Sequence, residues 1–205
     1  MSGTEPLVGN GAQLVRERAV ASRIQDSLER MYRLDRVAHV NDFVREASFG
    51  ERESLRVREA PDGDLEIGLY LPSGATSLDA TCQIIEGVSH FVYLVDRAHA
   101  SRAATQLELE LQAEVDKWLV LAASLRSFDV DLSQRLRARL YEKVLYTDDE
   151  RTENGERYRL ANGTANRFVR RLEKEYVESG RFAEMHGQLR RFFCLGQEDK
   201  LRMGV

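Results

Sequence analysis

Glu86, His90, Tyr93 and Arg97 stand at i, i+4, i+7 and i+11, a spacing that stacks them along one stripe of an α-helix. Further on, Glu110 and Glu114 are again four apart, with Lys117 beside them. If the two helices turn back on each other near residues 101–102, Glu86 lies level with Lys117, and His90 with Ala113 and Glu114. One histidine and three carboxylates at neighbouring levels of a helix pair resemble, in chemistry only, the ligand sets of metal sites in helical bundles. Read this way, Glu86, His90, Glu110 and Glu114 hold a divalent metal or activate water, with Glu114 as the catalytic base. The reaction class is metal-dependent hydrolysis, with a phosphorylated small molecule as substrate.

The helical wheel argues against that constellation. At about 100° per residue, the apolar face of the first helix centres between Ile84 and Val88, and the Glu86–Arg97 stripe lies nearly opposite. In an isolated helix pair the stripe faces water or a partner, and it forms a site only if another helix packs over it. The spacing also departs from the Glu-x-x-His pattern of di-iron bundles. Glu114 is different, because it sits at the edge of the apolar face among Leu107, Trp118 and Leu121. A carboxylate there needs a partner, a proton or water, since an unpaired buried charge is costly. The plainest solution is a salt bridge or hydrogen bond locking helix to helix.

A second candidate surface lies late in the chain. Arg167, Arg170, Arg171 and Lys174 cluster on one predicted helix, and Arg190 and Arg191 precede Phe192 and Phe193 on the next. Arginine interleaved with aromatics can hold phosphate and stack on bases. Acidic neighbours dilute the field, however, and Phe168 and Phe192 fit apolar stripes. The charge is uneven, with 14 basic against 21 acidic side chains over residues 1–130 and 16 against 13 over 131–205.

The remaining chemistry-bearing residues say less. His39 and His99 fall near helix ends, and His186 adjoins Met185. Cys82 and Cys194 have no cysteine or histidine neighbour at zinc-site spacing and read as free thiols. No Gly-x-Gly-x-x-Gly, Walker-type loop, Gly-x-Ser-x-Gly or His-Glu-x-x-His is present. No cofactor is therefore expected, apart from a divalent metal under the hydrolase reading.

The elements that must position these groups are mainly helical. The sequence has only 3 prolines, 42% hydrophobic and 31% charged residues, and abundant Leu, Ala, Glu and Arg. Residues 1–11 read as a flexible tail, and 12–205 as a single domain. A first helix carries Val20, Ile24, Leu28 and Met31 on one stripe, and a second covers Val37 to Ala47. Alternation at 53–59 and 64–71 around Pro61-Asp62-Gly63 predicts a β-hairpin. Two strands alone are barely stable, so its apolar face must pack on something. The central helix pair spans 77–125, with Thr76 capping its first member. In the second member, Leu107 to Leu111 alternate like a strand, but helix formers and the face running to Leu125 favour helix. Asp131 is expected to cap the next helix, Asn154-Gly155 to mark the tip of a second small hairpin, and Thr164 to cap a helix that Gly180 stops. A last helix carries Phe182, Met185, Leu189 and Phe192 inward.

The predicted fold class is thus mainly α (α+β): a helical bundle around a long antiparallel pair, with a small hairpin packed on it. No secretory pattern or membrane-length apolar run appears, so the expected setting is cytoplasmic with no membrane partner. Three functions remain open. The first is a non-enzymatic interaction or regulatory protein that binds a protein partner or a second copy of itself through helix faces or a hairpin edge. The second is the metal-dependent hydrolase, and the third is nucleic-acid binding by the basic C-terminal helices.

Overall fold

The computed structural model describes residues 10–48, 51–59, 65–72, 77–144, 146 and 148–204, and within them the protein is mainly helical with one small sheet. The long helices are α1 (Asn10–Tyr32), α2 (Leu78–His99), α3 (Gln106–Ala123) and α5 (Glu153–Leu172). Shorter ones are α4 (Val130–Arg137), α6 (Phe182–Cys194) and α7 (Gln197–Met203). The strands β1 (Val44–Glu46), β2 (Ser54–Glu59) and β3 (Leu65–Leu71) form a sheet of order β1-β3-β2.

The predicted hairpin is present as β2 and β3, antiparallel with Leu55 opposite Leu69 and Val57 opposite Ile67. Its turn at Pro61-Asp62-Gly63 lies outside the described residues, as do most of the expected tail and Thr76. The Val37–Ala47 helix is not formed. A single 3₁₀ turn at Val40–Asp42 is capped by His39, whose Nδ1 accepts from Asn41 N at 3.2 Å, and β1 follows. The apolar residues that suggested a helix are buried instead by parallel pairing on the free edge of β3, Val44 opposite Leu69. A third strand is what a marginal two-stranded hairpin gains most from.

The α2–α3 pair is antiparallel, and the strand-like Leu107–Leu111 stretch is helix. A capping box decides it: Thr105 Oγ1 accepts from Glu108 N at 3.1 Å, while the Glu108 carboxylate accepts from Thr105 N at 2.8 Å. Ser77 caps α2 and Asp129, rather than Asp131, caps α4. Asn154-Gly155 is no hairpin tip. It lies in the first turn of α5, where Gly155 N donates to the capping Thr152 Oγ1 at 3.0 Å. A Cβ on Gly155 would sit 1.9 Å from Asp149 O, so packing space selects glycine there, not turn geometry. Thr164 is buried mid-helix in α5 and caps nothing. Gly180, at φ +67°, ends the segment after α5 as expected.

Helix α2 is the centre of the molecule. Apolar Ile85, Val88 and Phe91 join the core formed with α1, α3 and the sheet, and Tyr93 on the opposite side meets Phe193 of α6 edge-on, 5.2 Å between centroids. Burying a helix on all sides requires that its polar residues find partners inside the protein.

Candidate metal centre and adjoining cavity

The Glu86–Arg97 stripe does not face water. His90, Tyr93 and Arg97 are 8%, 0% and 6% exposed, so the wheel-based expectation of a solvated face is overturned. Two coverings that a helix pair alone does not reveal account for this. At the C-terminal end of α2, the Arg97 guanidinium donates to Leu195 O at 2.6 Å and to the Tyr93 hydroxyl. At the other end, the start of β2 lays Glu53 across α2, fixed by Glu53 N donating to Gln83 Oε1 at 3.2 Å. Gly87 makes that crossing possible. A Cβ at this position would meet Leu69 Cδ1 at 2.7 Å, Glu53 Cγ at 2.8 Å and Glu53 Oε1 at 2.9 Å.

Beneath Glu53, one ligand atom each from Glu86, His90 and Glu110 lies within 4.8 Å of the others. His90 Nε2 is 3.8 Å from Glu110 Oε2, and His90 Nδ1 is 3.8 Å from Glu53 Oε1. Both distances exceed a hydrogen bond, and both His90 Nε2 and Glu53 Oε1 are buried without a hydrogen-bond partner. Unpaired buried polar atoms are uncommon in folded proteins, and each asks for an explanation.

Lys117 organises the next layer. Its ammonium donates to Glu114 Oε1 at 2.8 Å on its own helix and to Glu86 Oε2 at 3.3 Å on α2. Glu86 therefore stands between the histidine cluster and the lysine. The predicted levelling of Glu86 with Lys117 is correct, whereas His90 faces Glu110 instead of Glu114, one turn away. Glu114 is partnered by Lys117 rather than left alone in an apolar edge, and its backbone carbonyl accepts from the Tyr141 hydroxyl at 2.8 Å.

The electrostatics follow from crowding four carboxylates around one lysine and one histidine. Burial raises Glu110 to about 7 against the attraction of His90. Burial alone would raise Glu86 too, but Lys117 and His90 bring it below the ordinary glutamate range. Burial disfavours the imidazolium of His90, yet Glu53, Glu110 and Glu86 outweigh it and lift the group to about 9. The pocket holds more negative than positive charge, the condition a divalent cation relieves.

Beside the cluster lies a cavity of about 210 Å³. Glu53, Glu86, Glu114 and Lys117 form part of its wall, with Arg52 and Gln83 near the sheet, Tyr158 and Asn162 from α5, and Tyr146 from the preceding segment. Sequence reasoning passed over Glu53, Gln83, Tyr158 and Asn162. The available signals were a glycine in the middle of an otherwise strong helix, at Gly87, and the four-residue spacing of Tyr158 and Asn162.

The C-terminal basic residues do not line this cavity. Arg167 donates to Gly204 O and, at 3.1 Å, to Thr164 Oγ1; Arg171 stacks over Phe168; and Arg190 donates to Met31 O at 3.4 Å. Arg170, Lys174 and Arg191 are exposed.

A second buried polar group lies deeper in the core, also unforeseen. Asp116 accepts from the Tyr32 hydroxyl, from Ser89 Oγ at 2.6 Å and from Gln112 Nε2 at 3.0 Å. Lys200 of α7 is fully buried, donates to Gln112 Oε1 at 2.6 Å, and sits over the rings of Tyr93 and Phe192 at 4.6 and 4.4 Å. Each member is satisfied, so this network joins α1, α2, α3 and α7 and leaves no atom waiting for a ligand.

Among the described residues no helix is long and apolar enough to cross a membrane. Comparisons with protein-family models, with curated proteins and with solved structures found no significant match, so the reading of the site rests on its own geometry.

Proposed function

We propose that this protein is a metal-dependent hydrolase whose divalent cation is held by Glu86, His90 and Glu110, with Glu53 closing the site from the sheet. The observation that carries the proposal is the buried His90 Nε2, without a hydrogen-bond partner and directed at Glu110 Oε2 within the cluster. A stripe left in solvent would have favoured the interaction-protein reading. Covered by Glu53 and brought to 3.8 Å from Glu110 at His90, it favours the hydrolase instead.

The chemistry follows from the ligand types. Carboxylates with one imidazole suit Mn²⁺, Fe²⁺ or Zn²⁺ more than Ca²⁺. Such a cation lowers the pKa of its bound water toward about 7 and polarises a substrate oxygen. Glu114, on the cavity wall, would accept the proton of the attacking water. The attacking oxygen would bond to the electrophilic centre as the bond to the leaving group breaks, and the leaving oxygen would recover the proton from Glu114 through Lys117, which donates to Glu114.

The test is unfolding of the chelator-treated protein with and without Mn²⁺, Zn²⁺ or Mg²⁺. A cation at one hundred times its dissociation constant adds about 2.7 kcal/mol of stability by mass action. At least one should raise the melting temperature of the wild type and support hydrolysis, and His90→Ala should lose both effects. A wild type that no divalent cation stabilises would sink the proposal.

A further inference from the structure

The cavity wall includes side chains that a cation does not need. Asn162 is only 5% exposed, and its amide has no hydrogen-bond partner among the described residues. The residue lines the cavity, so its amide is open to a polar group held in that space. Tyr158, one turn earlier on α5, lines the same space. Two cations complete the set. Lys117 reaches the cavity between Glu86 and Glu114. The Arg52 side chain is 56% exposed and is 3.7 Å from the still more exposed Asp79, too loose a pairing to fix it away from the cavity.

We infer that this donor wall is the binding site for the phosphoryl group of a small phosphorylated substrate, held between the bound cation and Lys117, Arg52 and Asn162. The inference rests on the metal reading above and specifies its substrate. A phosphoryl group offers several oxygens to separated donors, matching a wall that presents an ammonium, a guanidinium and an amide next to a metal position. At about 210 Å³ the cavity is smaller than the roughly 300–1,000 Å³ of pockets that enclose drug-sized ligands, a size that suits a compact phosphate ester.

The same geometry imposes an order of binding. Four carboxylates, Glu53, Glu86, Glu114 and Asp148, line the cavity against the two cations Arg52 and Lys117 and repel a phosphate until a divalent cation offsets them, so the anion enters only after the metal.

The experiment measures two events separately. Mn²⁺ binding is titrated first, by the loss of the free-ion electron paramagnetic resonance signal. Phosphorus NMR then reads the relaxation of inorganic phosphate by protein-bound Mn²⁺, and calorimetry reads phosphate affinity with and without diamagnetic Mg²⁺. The expected result is phosphate binding that requires the cation. Asn162→Ala should weaken it about tenfold, the equivalent of about 1.4 kcal/mol, with Mn²⁺ affinity unchanged. The exposed Arg52→Gln supplies a second variant that does not disturb the core. If Mn²⁺ binds but phosphate does not, or phosphate binds equally without cation, or both variants bind it like wild type, the phosphoryl site is wrong while the metal site stands. If neither Mn²⁺ nor any other divalent cation binds, both are wrong.

Discussion

His90 on α2 and Glu110 on α3 face each other across the central helix pair, each 8% exposed, with Nε2 and Oε2 3.8 Å apart. At that separation neither satisfies the other, and a cation between them would complete both. Glu86, from one turn earlier on α2, would supply the third ligand, and Glu53 reaches over from the sheet.

Gly87 is expected to be intolerant of a side chain because Glu53 crosses α2 there. Gly87→Ala places a Cβ 2.7–2.9 Å from Leu69 and Glu53, so one of them must move. Alanine normally improves a helix by about 1 kcal/mol over glycine. Here overpacking should reverse the sign and destabilise by about 1–3 kcal/mol. Urea unfolding reads the first effect, and a Mn²⁺ titration reads the displacement of Glu53 as weaker binding. An alanine variant more stable than wild type would show that Glu53 does not cross as described.

Asp116 is expected to be structural. Asp116→Ala leaves the Tyr32 hydroxyl, Ser89 and Gln112 without their shared acceptor and should cost about 3–5 kcal/mol, as breaking a buried network does. Calorimetric unfolding should show the loss, and the folded fraction at low temperature should bind Mn²⁺ as wild type does. Lost metal affinity in a folded Asp116→Ala protein would argue that the two polar groups are one.

Lys200 should leave a signature in the pH dependence of stability. Burial takes its pKa from 10.5 down to about 7, opposed by Asp116 and Glu108 and reinforced by Arg97. Between those values the unfolded chain keeps a proton that the folded chain has released. The cost of burying this lysine therefore falls as pH rises from about 7 toward 10.5. Asp116, raised to about 6 by burial, slopes the opposite way, but only between 3.8 and about 6. Wild type should accordingly gain stability relative to Lys200→Met as pH rises from neutral to 10. Denaturant titrations at several pH values measure the difference, and a flat difference would mean the lysine keeps its proton in the fold.

Much of the architecture was legible because it depends on local periodicity. The α2–α3 pair, the β2–β3 hairpin, and the Glu86–Lys117 level all follow from spacing within one or two elements. What failed depended on distant covering. Val40 and Val44 suggest a helix until β3 offers a free edge, and the Glu86–Arg97 stripe looks solvated until Glu53 and Leu195 reach it. The proposed metal ligands Glu86, His90 and Glu110 were visible as residues, but the burial of His90 and Glu110 was not. Asn162 and Lys200, one lining a cavity and the other inside the core, look in sequence like ordinary surface polar residues. Only long-range packing distinguishes them.

The most direct measurement is pulsed electron paramagnetic resonance of Mn²⁺ bound to the chelator-treated wild type and to Glu110→Gln and His90→Ala. One bound Mn²⁺ per chain is expected, with a nitrogen modulation from a single imidazole that His90→Ala removes and an affinity that Glu110→Gln lowers. A Mn²⁺ spectrum without nitrogen coupling, or one that His90→Ala leaves unchanged, would contradict the assignment of this buried cluster as a metal centre.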